Sequence, residues 1–203
     1  MTGPEVRAVL LDMDGVIRHW RGDASAEAAS GLPAGTFARL AFDLPEYADT
    51  QVGRATHADW AAAVRRRLVE EFGELALPAA EAWAAGRGVV DDEMVELVRR
   101  LRAQLPVGLL SNATDRLRED LEHHGLHEAF DVVLCSAELR LAKPDPAIFV
   151  HAAAAIGQPP EACFFADDLA VNVEGAHSVG MRAAVFTSRG ELEAELASLG
   201  LVV

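Results

Sequence analysis

Asp12 and Asp14 stand two positions apart in LLDMDG, where a short apolar run gives way to polar residues. Two carboxylates so placed can act as a nucleophile with an acid–base partner, or as ligands of a cation. Three more polar clusters follow: Ser111-Asn112 after VGLL, Lys143 in LAKPDP, and Asp167-Asp168 after ACFFA. Lys143 is the only lysine among 18 basic residues. A compact ammonium on a flexible stem can sit between two oxyanions, where a planar guanidinium needs more room and a bidentate partner. Four carboxylates brought together would repel. Two unit charges about 4 Å apart cost ~4 kcal/mol at an effective dielectric near 20. Oxygen-only ligands select a hard cation such as Mg2+, which binds readily alongside phosphate. With Asp14 protonated, Mg2+ and Lys143 would balance Asp12, Asp167 and Asp168, and a phosphate dianion could approach.

The chain must first bring these residues to one place. Strands are expected at 6–11, 107–110, 131–135, 162–166 and 181–186, each a short apolar run. In DDEMVELVRRLRAQL, Met94, Leu97, Val98, Leu101 and Leu105 recur at helical spacing behind an Asp91-Asp92 cap. Helices are also expected at 114–124 and 146–156. Strands alternating with helices imply an α/β fold, a parallel sheet covered on both faces. Ligands of such sheets bind beyond the carboxyl ends of the strands, where the polar clusters lie. The stretch from Val16 to Gly86 is Ala-rich and helical, without a convincing strand, and is too long for one connection. It is expected to be an inserted helical domain.

The net charge of −14 argues against nucleic acid and anionic membranes as partners. Cys135 and Cys163 lie in apolar runs and are expected to be buried free thiols of a cytoplasmic protein. VRAVLLDMDG is too short for a signal peptide or a membrane span. Composition leaves the oligomeric state open.

The order DxDG, Ser-Asn, Lys-Pro, Asp-Asp resembles the haloacid dehalogenase superfamily of hydrolases, most of which are Mg2+-dependent phosphatases. The tail FFADDLAVNVEGAHSVGMRAAVF is similar to the subfamily IA-like members with a helical C1 cap and a paired-Asp fourth motif. GRATHADW, from Gly53 to Trp60, is similar to a stretch found in such caps. The resemblance implies a Rossmann-like three-layer core at 1–15 and 87–203, with a helical cap at 16–86. It implies hydrolysis of a small phosphorylated metabolite. Asp12 would be the nucleophile, forming an aspartyl-phosphate, and Asp14 the acid and base. Ser111 and the backbone N–H of Asn112, with Lys143, would hold phosphate. Asp12, the Asp14 carbonyl and Asp168 would bind Mg2+, with Asp167 close by or acting through water, and Asn172 would orient the site.

Other readings compete. A sugar-phosphate mutase uses the same two aspartates. A dehalogenase has no need of Asp14, because a departing halide takes no proton. A phospho-acceptor protein shares the residue types in a different order. Ser111-Asn112 and Asp167-Asp168 could simply cap helices. His123 and His127 are expected at a solvated helix end rather than on a metal, and His57, His151 and His177 on the surface or a helix face. Arg65, Arg66 and Arg67 are expected on a solvated face, and Trp60 and Trp83 in the cap core. Arg18, His19 and Trp20, at the cap entrance, are candidates for substrate specificity.

Overall fold

Each of the five apolar runs is a strand of one parallel sheet. The computed structural model describes residues 5–20 and 23–202. Residues 1–4, 21–22 and 203, which fall within the expected core and cap ranges, lie outside the described residues. In chain order, β1 (Ala8–Leu11) and β2 (Arg18–His19) precede five helices: α1 (Asp23–Ala29), α2 (Thr36–Phe42), α3 (Pro45–Thr50), α4 (His57–Phe72) and α5 (Leu77–Ala85). Then come β3 (Val89–Val90), α6 (Asp92–Arg102), β4 (Val107–Ser111), α7 (Leu117–His123), β5 (Val132–Cys135) and α8 (Ser136–Leu139). The chain continues through α9 (Pro146–Ala155), β6 (Cys163–Asp167), α10 (Ala170–Ser178), β7 (Arg182–Val185) and α11 (Arg189–Ser198).

The sheet order is β5-β4-β1-β6-β7, every pair parallel. Side chains alternate between its faces. Val9, Leu11, Val107, Leu109, Phe164 and Ala166 pack against α6, α7 and α11, whereas Ala8, Leu10, Leu110, Leu134 and Phe165 pack against α9 and α10. Two apolar layers around one sheet give the expected Rossmann-like three-layer α/β arrangement. The α6 stripe of Met94, Leu97, Val98 and Leu101 is buried, and Asp91 caps its start by accepting from the Glu93 and Met94 amides. Each such buried side chain stabilises the fold by about 1.5–3 kcal/mol.

α1 to α5 gather around their own apolar cluster, which includes Phe37, Leu40, Trp60, Val64 and Leu68. This bundle joins the sheet domain through β2 and β3, which pair antiparallel at Arg18↔Val90 and His19↔Val89. The sequence shows no strand there, because two residues cannot display a period. α7 starts at Leu117 rather than near Thr114. The chain leaving β4 turns first, with Thr114 Oγ1 accepting from the Arg116 amide. Cys135 and Cys163 are buried free thiols. No helix among the described residues is long and apolar enough to cross a membrane.

Candidate active site

β1 lies between β4 and β6, and its register pairs Leu11 with both Leu109 and Ala166. The next residue outward, Asp12, therefore falls beside the ends of both neighbours, Ser111 on one side and Asp167 on the other. This is the crevice at which a doubly wound sheet reverses direction. Lys143 reaches in from the loop before α9. Its Nζ lies 2.8 Å from Asp12 Oδ1 and 2.6 Å from Asp167 Oδ2, and donates to the Leu110 carbonyl at 3.0 Å. All three ammonium donors are thus engaged. Asp167 also accepts from Asn172 Nδ2 at 2.9 and 3.0 Å and from the Leu169 amide at 2.9 Å.

Burial pushes the Asp12 carboxyl up to about 7, with Asp167 adding to the rise and Lys143 opposing it. Burial alone would lower the Lys143 ammonium, but Asp12 and Asp167 outweigh that and hold it above its ordinary value. One ammonium is therefore too little charge for the carboxylates around it. Asp12, Asp167 and Asp168 present oxygens within 4.8 Å of one another, the one such group among the described residues. A hard cation fits this oxygen set. The exposed Asp168 carboxyl is itself raised, by partial desolvation and then by Asp167.

Close backbone approaches fix these positions. Gly15 adopts φ +84°, and a Cβ there would stand 2.2 Å from Asp168 Oδ2. A side chain at this position would displace the carboxylate as well as strain the backbone. A Cβ on Gly175, in α10, would come within 2.6 Å of the Pro144 carbonyl, so the loop that carries Lys143 rests directly on that helix. The Asn112 side chain clamps the same loop from the other side. It accepts from the Lys143 amide at 2.8 Å and donates to the Lys143 carbonyl at 2.9 Å.

The haloacid dehalogenase-like hydrolase family matches residues 6–180. The chain belongs to this family. A phosphatase of Mycobacterium tuberculosis is 30% identical over 98% of this chain and 97% of its own length. A phosphoserine phosphatase of Thermus thermophilus is 36% identical over 66% of this chain and 58% of its own. Among solved structures, a HAD family enzyme of Bacteroides thetaiotaomicron superposes with TM-score 0.74 at 20% identity, covering 95% of this chain and 98% of that one. Its complex with magnesium and inorganic phosphate superposes with TM-score 0.68 at 20% identity, over 92% and 98%.

In this haloacid dehalogenase-like hydrolase the sheet edge brings Asp12, Ser111, Lys143, Asp167 and Asp168 together. Asp14 points elsewhere. Its carboxylate receives Arg18 Nε at 2.7 Å, Arg18 Nη2 at 3.0 Å and Trp20 Nε1 at 2.9 Å, and stands outside the three-carboxylate group. Three donors meet its two oxygens, and Arg18 is the cation paired with it. Ser111 caps no helix. Its Oγ is buried and, among the described residues, has no hydrogen-bond partner. Asp167 holds the Leu169 amide, just ahead of α10, so turn stabilisation and proximity to the carboxylate group coexist at that residue.

Beside Asp14 a cavity of about 210 Å3 lies between the sheet domain and the helical bundle. Arg18 and Trp20 line it, and His19, held in β2, is not among the lining residues. Trp60 and Trp83, expected only in the cap core, pack in that core and also line the cavity. His57, expected on the surface or a helix face, opens α4 and is half-buried in the cavity wall beside Arg116. The GRATHADW stretch fixes this wall. A Cβ on Gly53 would meet the Ala137 carbonyl at 2.3 Å, Thr56 and Asp59 form a reciprocal cap on α4, and the His57 amide donates to Asp115 at 2.7 Å.

The sequence did not disclose the charge network under the cavity. Arg18 Nη1 donates to Asp120 at 2.8 Å, as does Arg87 Nη1 at 2.7 Å, while Arg116 donates to the Ala84 and Gly86 carbonyls, both at 2.6 Å. Arg18 and Asp120 are 102 residues apart, beyond any local pattern. The triplet Arg65 to Arg67, His123 and His127 are exposed, as expected.

Proposed function

We propose that this chain is a Mg2+-dependent phosphatase of a small phosphorylated metabolite, acting through an aspartyl-phosphate on Asp12. The observation that carries the reading is the buried Asp12, held at 2.8 Å by Lys143 amid a carboxylate set with too little positive charge. The two phosphatase relatives and the fold neighbour crystallised with magnesium and phosphate support it. In this reading residues 16–86 form the cap, and 1–15 with 87–203 the core.

Mg2+ would be held by the carboxylates of Asp12 and Asp168 and the Asp14 carbonyl, with Asp167 close by. When bound it would neutralise charge on the phosphoryl oxygens and the nucleophile. Asp12 Oδ attacks phosphorus in line, and the ester oxygen departs with a proton from Asp14. Asp14 then takes a proton from the water that hydrolyses the aspartyl-phosphate, returning inorganic phosphate. Its pairing with Arg18 suits the second step, and for the first the proton it passes to the ester oxygen comes from the substrate's own phosphate monoanion, with Arg18 staying in place. The Ser111 hydroxyl and the Asn112 backbone N–H hold phosphoryl oxygens. Lys143, its donors already used, holds Asp12 in place and contributes charge. Asp14 favours an ester over a halide as the bond broken.

The direct test is release of phosphate from a metabolite-phosphate panel and a generic aryl phosphate, with Mg2+ and with chelator. Mg2+-dependent turnover is expected, and none on any substrate would remove the reading. Ser111→Ala separates function from structure. Deleting an unpartnered buried hydroxyl should leave stability unchanged or raised by up to about 1 kcal/mol. The same variant should lose roughly 10- to 100-fold in kcat/KM through the lost phosphate contact.

Mg2+ should also stabilise the fold in a pH-dependent way. The Asp12 carboxyl rises from 3.8 to about 7 on folding, so its protonated form stabilises the metal-free protein below the unfolded value. That contribution is lost as pH rises through the folded value. Mg2+ replaces the missing proton, so the rise in Tm on adding Mg2+ should be larger at about pH 8 than at about pH 5.5. Equal rises at both would contradict Asp12 as a ligand.

A further inference from the structure

All three tryptophans of the chain, Trp20, Trp60 and Trp83, line the cavity beside Asp14, together with Phe42 and Tyr47. Five aromatic side chains in a wall is a strong bias, because aromatic residues make up only 6% of the chain. Phe42 meets Tyr47 edge-on at 4.9 Å between ring centroids, Tyr47 lies 5.1 Å from Trp60, and Trp60 lies 5.0 Å from Trp83. The cluster is a continuous apolar surface.

The charges beneath the wall balance only as a group, Arg18, Arg87 and Arg116 against Asp14, Asp120 and Glu119. Arg18 is committed to Asp14 and Asp120, and Arg116 donates to the Ala84 and Gly86 carbonyls. Asp120 is shared by Arg18, Arg87 and Arg116. Of the other two titratable groups, Tyr47 is raised by burial and then by Asp14, and His57 faces Arg116 at 2.8 Å, where burial and then that guanidinium lower its pKa, favouring the neutral ring. A leaving group with its own carboxylate, ammonium or second phosphate would find no unpaired counter-charge here, and its desolvation would go uncompensated. The uncommitted polar groups are neutral: among the described residues, neither the Tyr47 hydroxyl nor the Gln51 amide has a partner of its own. The volume, about 210 Å3, is below the ~300–1,000 Å3 of sites for drug-sized ligands.

Resting on the phosphatase reading above, we infer that the substrate is the phosphate monoester of a small, uncharged alcohol bearing an aromatic ring. The ring lies against the wall of Trp60, Tyr47 and Phe42, and its ester oxygen faces Asp14. This differs in chemistry from phosphoserine, the substrate named for one relative, whose leaving group carries an ammonium and a carboxylate.

The test compares kcat/KM for 2-phenylethyl phosphate, glycerol phosphate, ribose 5-phosphate and O-phosphoserine. All are esters of alkyl alcohols, so the aromatic ring is not favoured merely as a better leaving group. A preference for 2-phenylethyl phosphate of at least about tenfold is expected from ring–ring contact. Phe42→Ala, at a half-exposed side chain, should shrink that preference toward unity. A merely structural defect would lower all four substrates together and leave the ratio standing, which would overturn the role of this wall. Equal or better turnover of O-phosphoserine or the polyol phosphates overturns the inference and leaves the phosphatase reading intact. A second readout needs no turnover. The Asp12→Asn variant is titrated with 2-phenylethyl phosphate and followed by tryptophan fluorescence, with O-phosphoserine as competitor. Saturable quenching resisted by O-phosphoserine supports the aromatic site even if the wild type hydrolyses nothing, in which case the phosphatase reading alone fails. No saturable change overturns the site.

Discussion

Replacing Asp12 by Asn should reduce phosphatase turnover by at least ~10^4-fold, the scale of losing a covalent nucleophile. The variant should remain folded. Asn matches Asp in shape, and it removes a carboxylate that burial already pushes up to about 7. Lys143 keeps Asp167 at 2.6 Å and the Leu110 carbonyl at 3.0 Å, so its ammonium stays paired. The Tm of metal-free Asp12→Asn should therefore equal or exceed that of the wild type above about pH 7, where the wild type must bury the charge. The Mg2+-induced rise in Tm should shrink. Steady-state kinetics with thermal unfolding of both proteins checks all three expectations. Activity within tenfold of wild type would place the nucleophile elsewhere.

Lys143→Arg keeps the charge and should still lose at least ~100-fold in kcat, because position rather than charge is at stake. The lysine side chain is fully buried, with its three donors directed at three acceptors and its ammonium 5.4 Å from the Phe165 ring centroid. A guanidinium brings five donors in a plane and more volume. Two donors would be left unpaired, and overpacking of this kind costs about 1–3 kcal/mol. The complete burial of the side chain therefore predicts a measurable loss of stability, though not unfolding. Chemical denaturation and kinetics on the same preparation separate the two effects. Near-normal turnover would mean that the ammonium is not needed.

The sheet and its polar edge were legible because both announce themselves locally. Each strand is a short apolar run, and each run ends in the polar residues that the parallel arrangement gathers at one edge. The unusual lysine was legible as well, since arginine fills every other basic position. The Gly15 and Gly175 close approaches sit inside motifs that the sequence displayed, but only the structure shows that Asp168 and the Pro144 carbonyl are what they leave room for. The cavity was not legible. Trp60 follows helical spacing in α4 as any core residue would, and nothing in that spacing says that it also faces a ligand space. Asp120, Arg87 and Arg116 read as ordinary helix and loop charges, and their convergence with Arg18 on one carboxylate joins segments distant in the chain. Asp14 meets Arg18 through the tight turn from Met13 to Arg18, a placement that no spacing within DMDG encodes.

The stereochemical course at phosphorus tests the aspartyl-phosphate most directly. The phosphorothioate analogue of a turned-over ester, made chiral with 18O, would be hydrolysed in 17O-water and the configuration of the released thiophosphate analysed. Two in-line displacements, first by Asp12 and then by water, give net retention of configuration. Inversion would mean a single displacement by water and would contradict Asp12 as the nucleophile.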